Sequence, residues 1–201
     1  MTVALPAAPA PAPRRQVLVA TAMAAAGLFV LMGGMLSLWL KFRAAAPLRE
    51  SADGLYMIKD WLPASIKIPE VAANTMLSGF GIVGAMAQWA VYAGKRGDSS
   101  HRSLALVVTF LMGLAIANAQ VAVWLQMDIG IADGAYQSMF YAITGTMFAL
   151  VLSGLAFTVV AFFRSVGGRA DDRQVLSAHA LYWYFLTATF VAVWFVVYVQ
   201  K

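Results

Sequence analysis

Five long runs of apolar residues, separated by short polar segments, form the main pattern of this chain. The runs cover residues 17–40, 71–94, 104–127, 134–163 and 175–199, and none of them contains Asp, Glu, Lys or Arg. A helix of about 20 residues crosses a hydrocarbon core about 30 Å thick. Because backbone groups in lipid must be hydrogen-bonded within the protein, the pattern predicts an all-α integral membrane bundle of five transmembrane helices with almost no β-structure.

Two segments outside these runs are more than simple turns. Residues 1–15 are rich in Ala and Pro and end in a basic pair, which predicts a mobile tail and not a signal peptide or a twin-arginine signal. Residues 16–201 are expected to form one membrane domain. In the longest connector, residues 43–67, the segment 55–58 and Trp61 predict a stretch that lies at the membrane interface.

The composition places the chain in the membrane class and its charges predict an orientation. Of the 201 residues 62% are hydrophobic and 11% are charged, which is too apolar for a soluble domain of this size. The net charge of +5 does not indicate nucleic-acid binding, because the basic residues lie in the tail and in connectors beside the apolar runs. By the positive-inside rule the N-terminus is expected in the cytoplasm and the C-terminus outside. The residues that give this orientation are Arg14, Arg15, Lys95, Arg96, Arg102, Arg164, Arg169 and Arg173.

The chemistry available to the chain is limited. It has no cysteine and only two histidines, His101 and His179, so no metal-ligand spacing occurs and no cofactor is expected in this chain. We expect His179 to lie at the membrane interface. Ionisable residues at membrane depth mark ion and proton pathways, and the runs contain no carboxylate, lysine or arginine. The sequence therefore favours a scaffold or accessory subunit over a pump, with no catalysis expected from this chain alone.

Amides and small residues inside the runs indicate how the helices pack. Asn118 and Gln120 each need a hydrogen-bond partner in lipid, which predicts interhelical bonds, with a substrate or proton path as the alternative. Small residues allow helices to approach closely, so close packing is expected at five glycines: Gly79, Gly81, Gly84, Gly145 and Gly154.

Taken together, the last three runs resemble subunit III of the heme-copper oxidases, in its five-helix bacterial form. The fourth run carries Ala135-Tyr136, Ser138, Phe140-Tyr141, Thr144-Gly145, Val151 and Gly154-Leu155. The fifth carries Tyr182-Trp183, Phe185 and Tyr198, and the third carries Leu111-Met112-Gly113 and Gln120. Weaker similarities are Ala26 to Phe29, Asn74-Thr75 and Arg96 to Asp98. From the resemblance we take as helix-packing or subunit-interface candidates Gln120, Tyr136, Ser138, Thr144, Gly145, Gly154 and Trp183.

The chain departs from the family pattern at its buried polar positions. The histidines, carboxylates and tryptophan of that pattern fall on Thr21, Val123, Met147, Leu150, Tyr184, Thr187 and Phe190. A partly satisfied buried network is worse than none, so we interpret the chain as a divergent member that keeps the packing and lacks the polar interior. Any role of that interior in supporting proton uptake by subunit I is not expected here.

Several functions follow from these observations. The resemblance implies a non-catalytic subunit of a respiratory oxidase that packs on subunit I, with subunit II nearby and phospholipids bound between its helices. Heme and copper would lie in those partner subunits, and the complex would reside in a bacterial inner membrane. The alternatives are an accessory subunit of nitric oxide reductase and a small membrane scaffold or transporter component unrelated to respiration.

Overall fold

A computed structural model describes residues 15–51, 53–167 and 173–200. In these ranges five helices are long and apolar enough to cross a membrane, which confirms the predicted bundle. They are α1 (Gln16–Ala45), α2 (Glu70–Lys95), α3 (Ser99–Met127), α4 (Ala135–Val166) and α5 (Arg173–Val193), the last continued by a π-helical segment (Trp194–Val199). The predicted mobile tail lies outside the described residues, apart from its last residue.

The helices extend beyond the predicted runs because polar residues can continue a helix past the hydrocarbon core. α3 begins at Ser99, five residues before the run, and Asp98 caps it by accepting the backbone N–H of His101 at 3.0 Å. Gly97, with φ of +72°, provides the left-handed residue that reverses the chain between α2 and α3. The short connection places α2 and α3 side by side and antiparallel.

The long connector folds into a small β-hairpin, where the sequence had predicted only an interfacial stretch. Strands β1 (Leu48–Glu50) and β2 (Met57–Lys59) pair antiparallel. Arg49 pairs with Asp60 at 3.1 Å and donates to the carbonyl of Leu62 at 3.0 Å. These bonds hold Trp61, which is 6% exposed, against the end of the bundle.

α5 lies at the centre of the bundle. It contacts α1, α2 and α4, while α3 packs between α2 and α4. α1 is peripheral, because it buries only the narrow stripe of Ala25, Met32, Leu36 and Trp39. We call one end of the bundle the basic end, defined by Lys95, Arg96, Arg102, Arg164 and Arg173, and the opposite end the hairpin end, which carries β1 and β2.

Candidate functional site

A group of three buried polar side chains joins α4 and α5 near the basic end. The indole N–H of Trp183 lies 3.1 Å from both Thr158 Oγ1 and His179 Nε2. Thr158 Oγ1 is also 2.8 Å from His179 Nε2 and 2.8 Å from the carbonyl oxygen of Gly154, and its one hydroxyl proton is donated to one of these two acceptors at a time. We call Thr158, His179 and Trp183 the indole cluster. All three side chains are essentially inaccessible to solvent, so the indole cluster fixes the rotation of α5 against α4.

His179 faces the interior of the bundle, and its expected depth at the membrane interface stays a prediction. Its ring is fully buried, and it meets the ring of Phe157 edge to face with centroids 5.6 Å apart. α5 begins at Arg173, so His179 lies almost two turns inside the helix and on the side that faces α4. The sequence signal that could have located it is the spacing of four to Trp183, which places both side chains on one helix face.

Glycines on α3 and α4 allow the large side chains near this cluster to pack. A Cβ at Gly154 would lie 3.1 Å from Trp183 Cζ2, and a Cβ at Gly113 would lie 2.7 Å from Leu155 Cδ2. A Cβ at Gly79 would likewise lie against Ile116, and a Cβ at Gly94 would lie against Leu176. Close packing was expected from the sequence at Gly79 and Gly154, whereas Gly94 and Gly113 are packing positions that the sequence did not indicate.

Two other glycines do not pack against another helix of this chain. A Cβ at Gly81 or Gly145 would meet no atom within 4 Å. The expected helix packing at these two positions is therefore wrong within the chain. Gly145 lies nine residues before Gly154, about 2.5 helical turns, so the two glycines are on opposite sides of α4. Contact of Gly145 with another subunit stays a prediction.

Thr144 and Gln120 make the interhelical contacts nearer the hairpin end. Trp124 Nε1 on α3 donates to Thr144 Oγ1 at 3.0 Å, and Thr144 donates in turn to the carbonyl of Phe140 at 2.7 Å. The hydroxyl of Tyr198 lies 3.5 Å from Gln120 Oε1, a long contact. Both Thr144 and Gln120 are buried.

Tyr136 belongs to an aromatic cluster that joins α1, the connector and α4. Its ring centroid lies 5.1 Å from that of Trp39 and 5.6 Å from that of Trp61. Its hydroxyl is buried and has no hydrogen-bond partner among the described residues. Tyr136 thus contributes mainly ring packing, which closes the hairpin end of the bundle.

Ser138 and Asn118 lie on the outer surface of the bundle. Ser138 is exposed, and its hydroxyl donates to the carbonyl of Ile131 at 2.8 Å, which braces the turn before α4. Asn118 is exposed on α3 and makes no interhelical hydrogen bond within the described ranges. Neither side chain packs between helices of this chain, and contact of Ser138 or Asn118 with another subunit stays a prediction. Both side chains point away from the interior of the bundle.

Of the seven positions that depart from the family pattern, Val123, Met147, Leu150 and Phe190 lie in an apolar interior, whereas Tyr184 is exposed and Thr21 and Thr187 are half-buried. Val123, Met147 and Phe190 are each 2% exposed or less, and Leu150 is 9% exposed. Thr187 donates to the carbonyl of Trp183 on its own helix at 2.9 Å. Within the described part of the chain no buried Asp or Glu occurs, and no group of three metal-ligating side chains comes together.

A groove runs between α3 and α4 on the outer surface near the basic end. It encloses about 180 Å³ and is lined by Leu106, Val107, Phe110, Thr158, Val159, Phe162 and Phe163. One turn before Leu106, the buried guanidinium of Arg102 bonds the hydroxyl and carbonyl of Ser165. No carboxylate of the described residues pairs with Arg102, which is 4% exposed and lies one helical turn along α3 from the groove-lining residue Leu106.

Residues 58–201 match the sequence model of a known protein family, which is described as cytochrome c oxidase subunit III. This match covers more than half of the chain and includes all of α2 to α5. The chain belongs to the cytochrome c oxidase subunit III family. The family resemblance and the membrane class expected from the sequence are thereby confirmed, and the chain is a multi-pass membrane protein of this family.

Relatives of this subunit III family chain occur in bacteria and in animals. It is 26% identical over 159 residues to a "Probable cytochrome c oxidase subunit 3" of Rickettsia conorii, covering 73% of this chain and 55% of the relative. It is 27% identical over 148 residues to "Cytochrome c oxidase subunit 3" of Bos taurus, covering 70% of this chain and 54% of the relative. The chain thus spans about half the length of the curated relatives it matches.

Proposed function

We propose that this chain is a non-catalytic, subunit III-like component of a respiratory heme-copper oxidase. It packs on a catalytic subunit I, which holds heme and copper, with subunit II as a second neighbour. The observation that carries the proposal is that the family match coincides with α2 to α5, a bundle whose interior contacts hold the helices together. Trp183, Thr144 and Gly154 make such contacts, and no buried carboxylate of the described residues provides a proton path.

The structure supports a scaffold role more than a role in proton transfer. A proton relay in a membrane needs a chain of ionisable or water-bonded groups. In the indole cluster His179 is the one ionisable side chain, it is shielded from solvent, and no buried carboxylate of the described residues continues a path from it. Hydrogen bonds between helices contribute about 0.6–2 kcal/mol each in a membrane and orient helices more than they stabilise them. A rigid five-helix surface is what a neighbouring subunit needs for docking.

The groove between α3 and α4 supports phospholipid as a further partner. Its walls are apolar and suit an acyl chain, while Arg102, one helical turn along α3 from the groove-lining residue Leu106, supplies a cation for a phosphate oxygen. Both features lie near the basic end, where the positive-inside rule places the cytoplasmic leaflet. The proposed location is the bacterial cytoplasmic membrane, with the basic end inside and the hairpin end outside.

The assignment is tested by purifying the tagged full-length chain from its native membranes in mild detergent. We expect co-purification of larger subunits whose reduced-minus-oxidised spectra show heme and whose metal analysis shows copper. Heme without copper, together with nitric oxide reduction, would assign the chain to a nitric oxide reductase instead. Recovery without any heme protein, under conditions that keep a known membrane complex intact, would contradict both assignments.

The proposed binding of phospholipid is tested by native mass spectrometry of the purified chain before and after detergent washing. Arg102→Gln should lose a tightly bound phospholipid that the unchanged protein retains. Arg173→Gln is the matched control, since Arg173 lies at the same end but is exposed at the start of α5. Equal lipid retention by both variants would remove Arg102 from the proposal.

A further inference from the structure

The outward face of α3 carries a regular stripe of seven exposed residues. They follow one another at alternating spacings of three and four, and they are Leu104, Val107, Leu111, Leu114, Asn118, Val121 and Leu125. We call this stripe the α3 seam. Alternation of three and four is the heptad pattern of a left-handed helix pair, in which Leu104, Leu111, Asn118 and Leu125 take one core position and the other three take the second.

The α3 seam is long enough to contact a partner helix across the whole thickness of the membrane. It extends over 21 residue steps, which at 1.5 Å per residue is about 30 Å and matches the hydrocarbon thickness. Ala115 and Ala122 flank the seam on one side, and small residues there let a second backbone come close. Within the described residues no other part of the chain covers this face.

Asn118 is the residue that distinguishes the α3 seam from an ordinary lipid-facing stripe. Its amide lies near the middle of the stripe, is exposed, and has no hydrogen-bond partner within the described ranges. An amide that faces hydrocarbon without a partner is unfavourable by several kcal/mol, which is avoided when a second helix supplies a donor and an acceptor. In a coiled coil, a single Asn at a core position sets the register and the number of helices.

We propose that the α3 seam is the contact between two copies of this chain, arranged as a parallel two-fold pair. Two copies inserted in the same membrane have the same orientation, so each seam residue meets its own counterpart at the same depth. The amide of Asn118 is both donor and acceptor, so it bonds the Asn118 amide of the second copy without requiring a partner of different chemistry. Leu114 and Val121 then pack against their counterparts on either side of this amide pair.

This inference does not depend on the proposed oxidase function. A pair formed through α3 leaves α1, which packs on α5, available to a different subunit. The pair overlaps the groove between α3 and α4 at Val107, which belongs to both. Loss of oxidase partners and loss of pairing are therefore separate results in separate measurements.

The absence of cysteine from the chain permits a direct test in native membranes. Single variants Leu114→Cys and Val121→Cys should form disulfide-linked dimers on treatment with copper–phenanthroline. Val30→Cys on α1 is the control, because Val30 is 75% exposed and more accessible than either seam residue but lies on another face. It should cross-link no more than random collision of the chains allows.

The role of the amide is tested by adding Asn118→Leu to the Val121→Cys variant. Loss of one interhelical hydrogen bond should lower dimer formation roughly threefold to thirtyfold, and Asn118→Gln should restore part of it. Cross-linking at Val30 equal to that at the seam, or an unchanged yield with Asn118→Leu, would overturn the proposal. Products in which the seam cysteines are bonded to a chain of different mass would also overturn it, since the occupant would then be another subunit.

Discussion

Trp183 on α5 lies directly over Gly154 on α4, so that a Cβ at residue 154 would lie 3.1 Å from indole atom Cζ2. The close approach lets the indole N–H reach Thr158, one turn further along α4 and 3.1 Å away. Packing and hydrogen bonding are therefore linked at this point. A side chain at residue 154 would displace the indole and break its hydrogen bonds at the same time.

We therefore expect Gly154→Leu to destabilise the chain strongly. Overpacking in a filled interior is unfavourable by about 1–3 kcal/mol, and the lost indole bonds add to this. The measurement is thermal unfolding in detergent, followed by tryptophan fluorescence and by the onset of aggregation. Gly145→Leu is the matched control on the same helix, because a Cβ there meets nothing within 4 Å.

Gly145→Leu tests a second question when the native complex is isolated. If Gly145 faces another subunit, the variant should fold normally but give a lower yield of complex. A normal melting temperature together with an unchanged yield would exclude Gly145 as a subunit contact. A melting temperature reduced as much as in Gly154→Leu would contradict the packing described for α4.

The interhelical bond from Trp124 to Thr144 should contribute a small, measurable stability. Thr144→Val keeps the shape and removes the acceptor, so we expect a loss of about 0.6–2 kcal/mol in the free energy of unfolding. Thr146→Val is the control, because Thr146 bonds only the carbonyl of Ala142 in its own helix. Comparison of the two variants by unfolding in mixed detergent isolates the interhelical bond, and equal losses would show that it contributes nothing.

The number of helices could be predicted from the sequence because hydrophobicity and length alone decide whether a segment crosses a membrane. The face that each helix turns toward the interior of the bundle could not be predicted in this way. Tyr136 and Ser138 both lie near the start of α4, two residues apart, yet one is buried and the other is exposed. In a soluble helix polar residues mark the outer face, whereas in lipid the outer face is as apolar as the core.

The contacts of the indole cluster are a second feature that could not be predicted from the sequence. Thr158 and His179 are 21 residues apart and belong to different helices, so no local pattern joins them. Trp183 could be selected because the family resemblance includes it, but the partners of its N–H depend on how α5 is rotated against α4. That rotation is set by tertiary contacts such as Leu186 against Gly154.

The indole cluster should behave as a coupled unit. Thr158→Val leaves the Trp183 N–H bonded only to His179, and His179→Leu leaves it bonded only to Thr158. Either change should be tolerated better than both, because the double variant buries an N–H with no acceptor at a cost of about 1–3 kcal/mol. A double-mutant cycle on the unfolding free energy measures this coupling, and strictly additive losses would contradict the shared acceptor role.

The turn between α2 and α3 should lose stability in acid because of Asp98. The backbone N–H of His101 and then its ring nitrogen, 2.5 Å from the carboxylate, hold the pKa of Asp98 below its ordinary value. A carboxyl whose pKa is lower in the folded protein stabilises the fold above its unfolded pKa, and this contribution is lost as the pH falls through the folded value. Asp98→Asn keeps the cap but has no charge to lose.

The melting temperature of the unchanged protein should therefore exceed that of Asp98→Asn at about pH 7, and the difference should shrink at about pH 3. The physical reason is that protonation removes the same charge that the substitution removes, so the two proteins become alike at the cap. Asp53→Asn is the control, because Asp53 is exposed in the connector and should show no such convergence. If the difference at Asp98 were independent of pH, the charge of Asp98 would not account for it, and the prediction would be wrong.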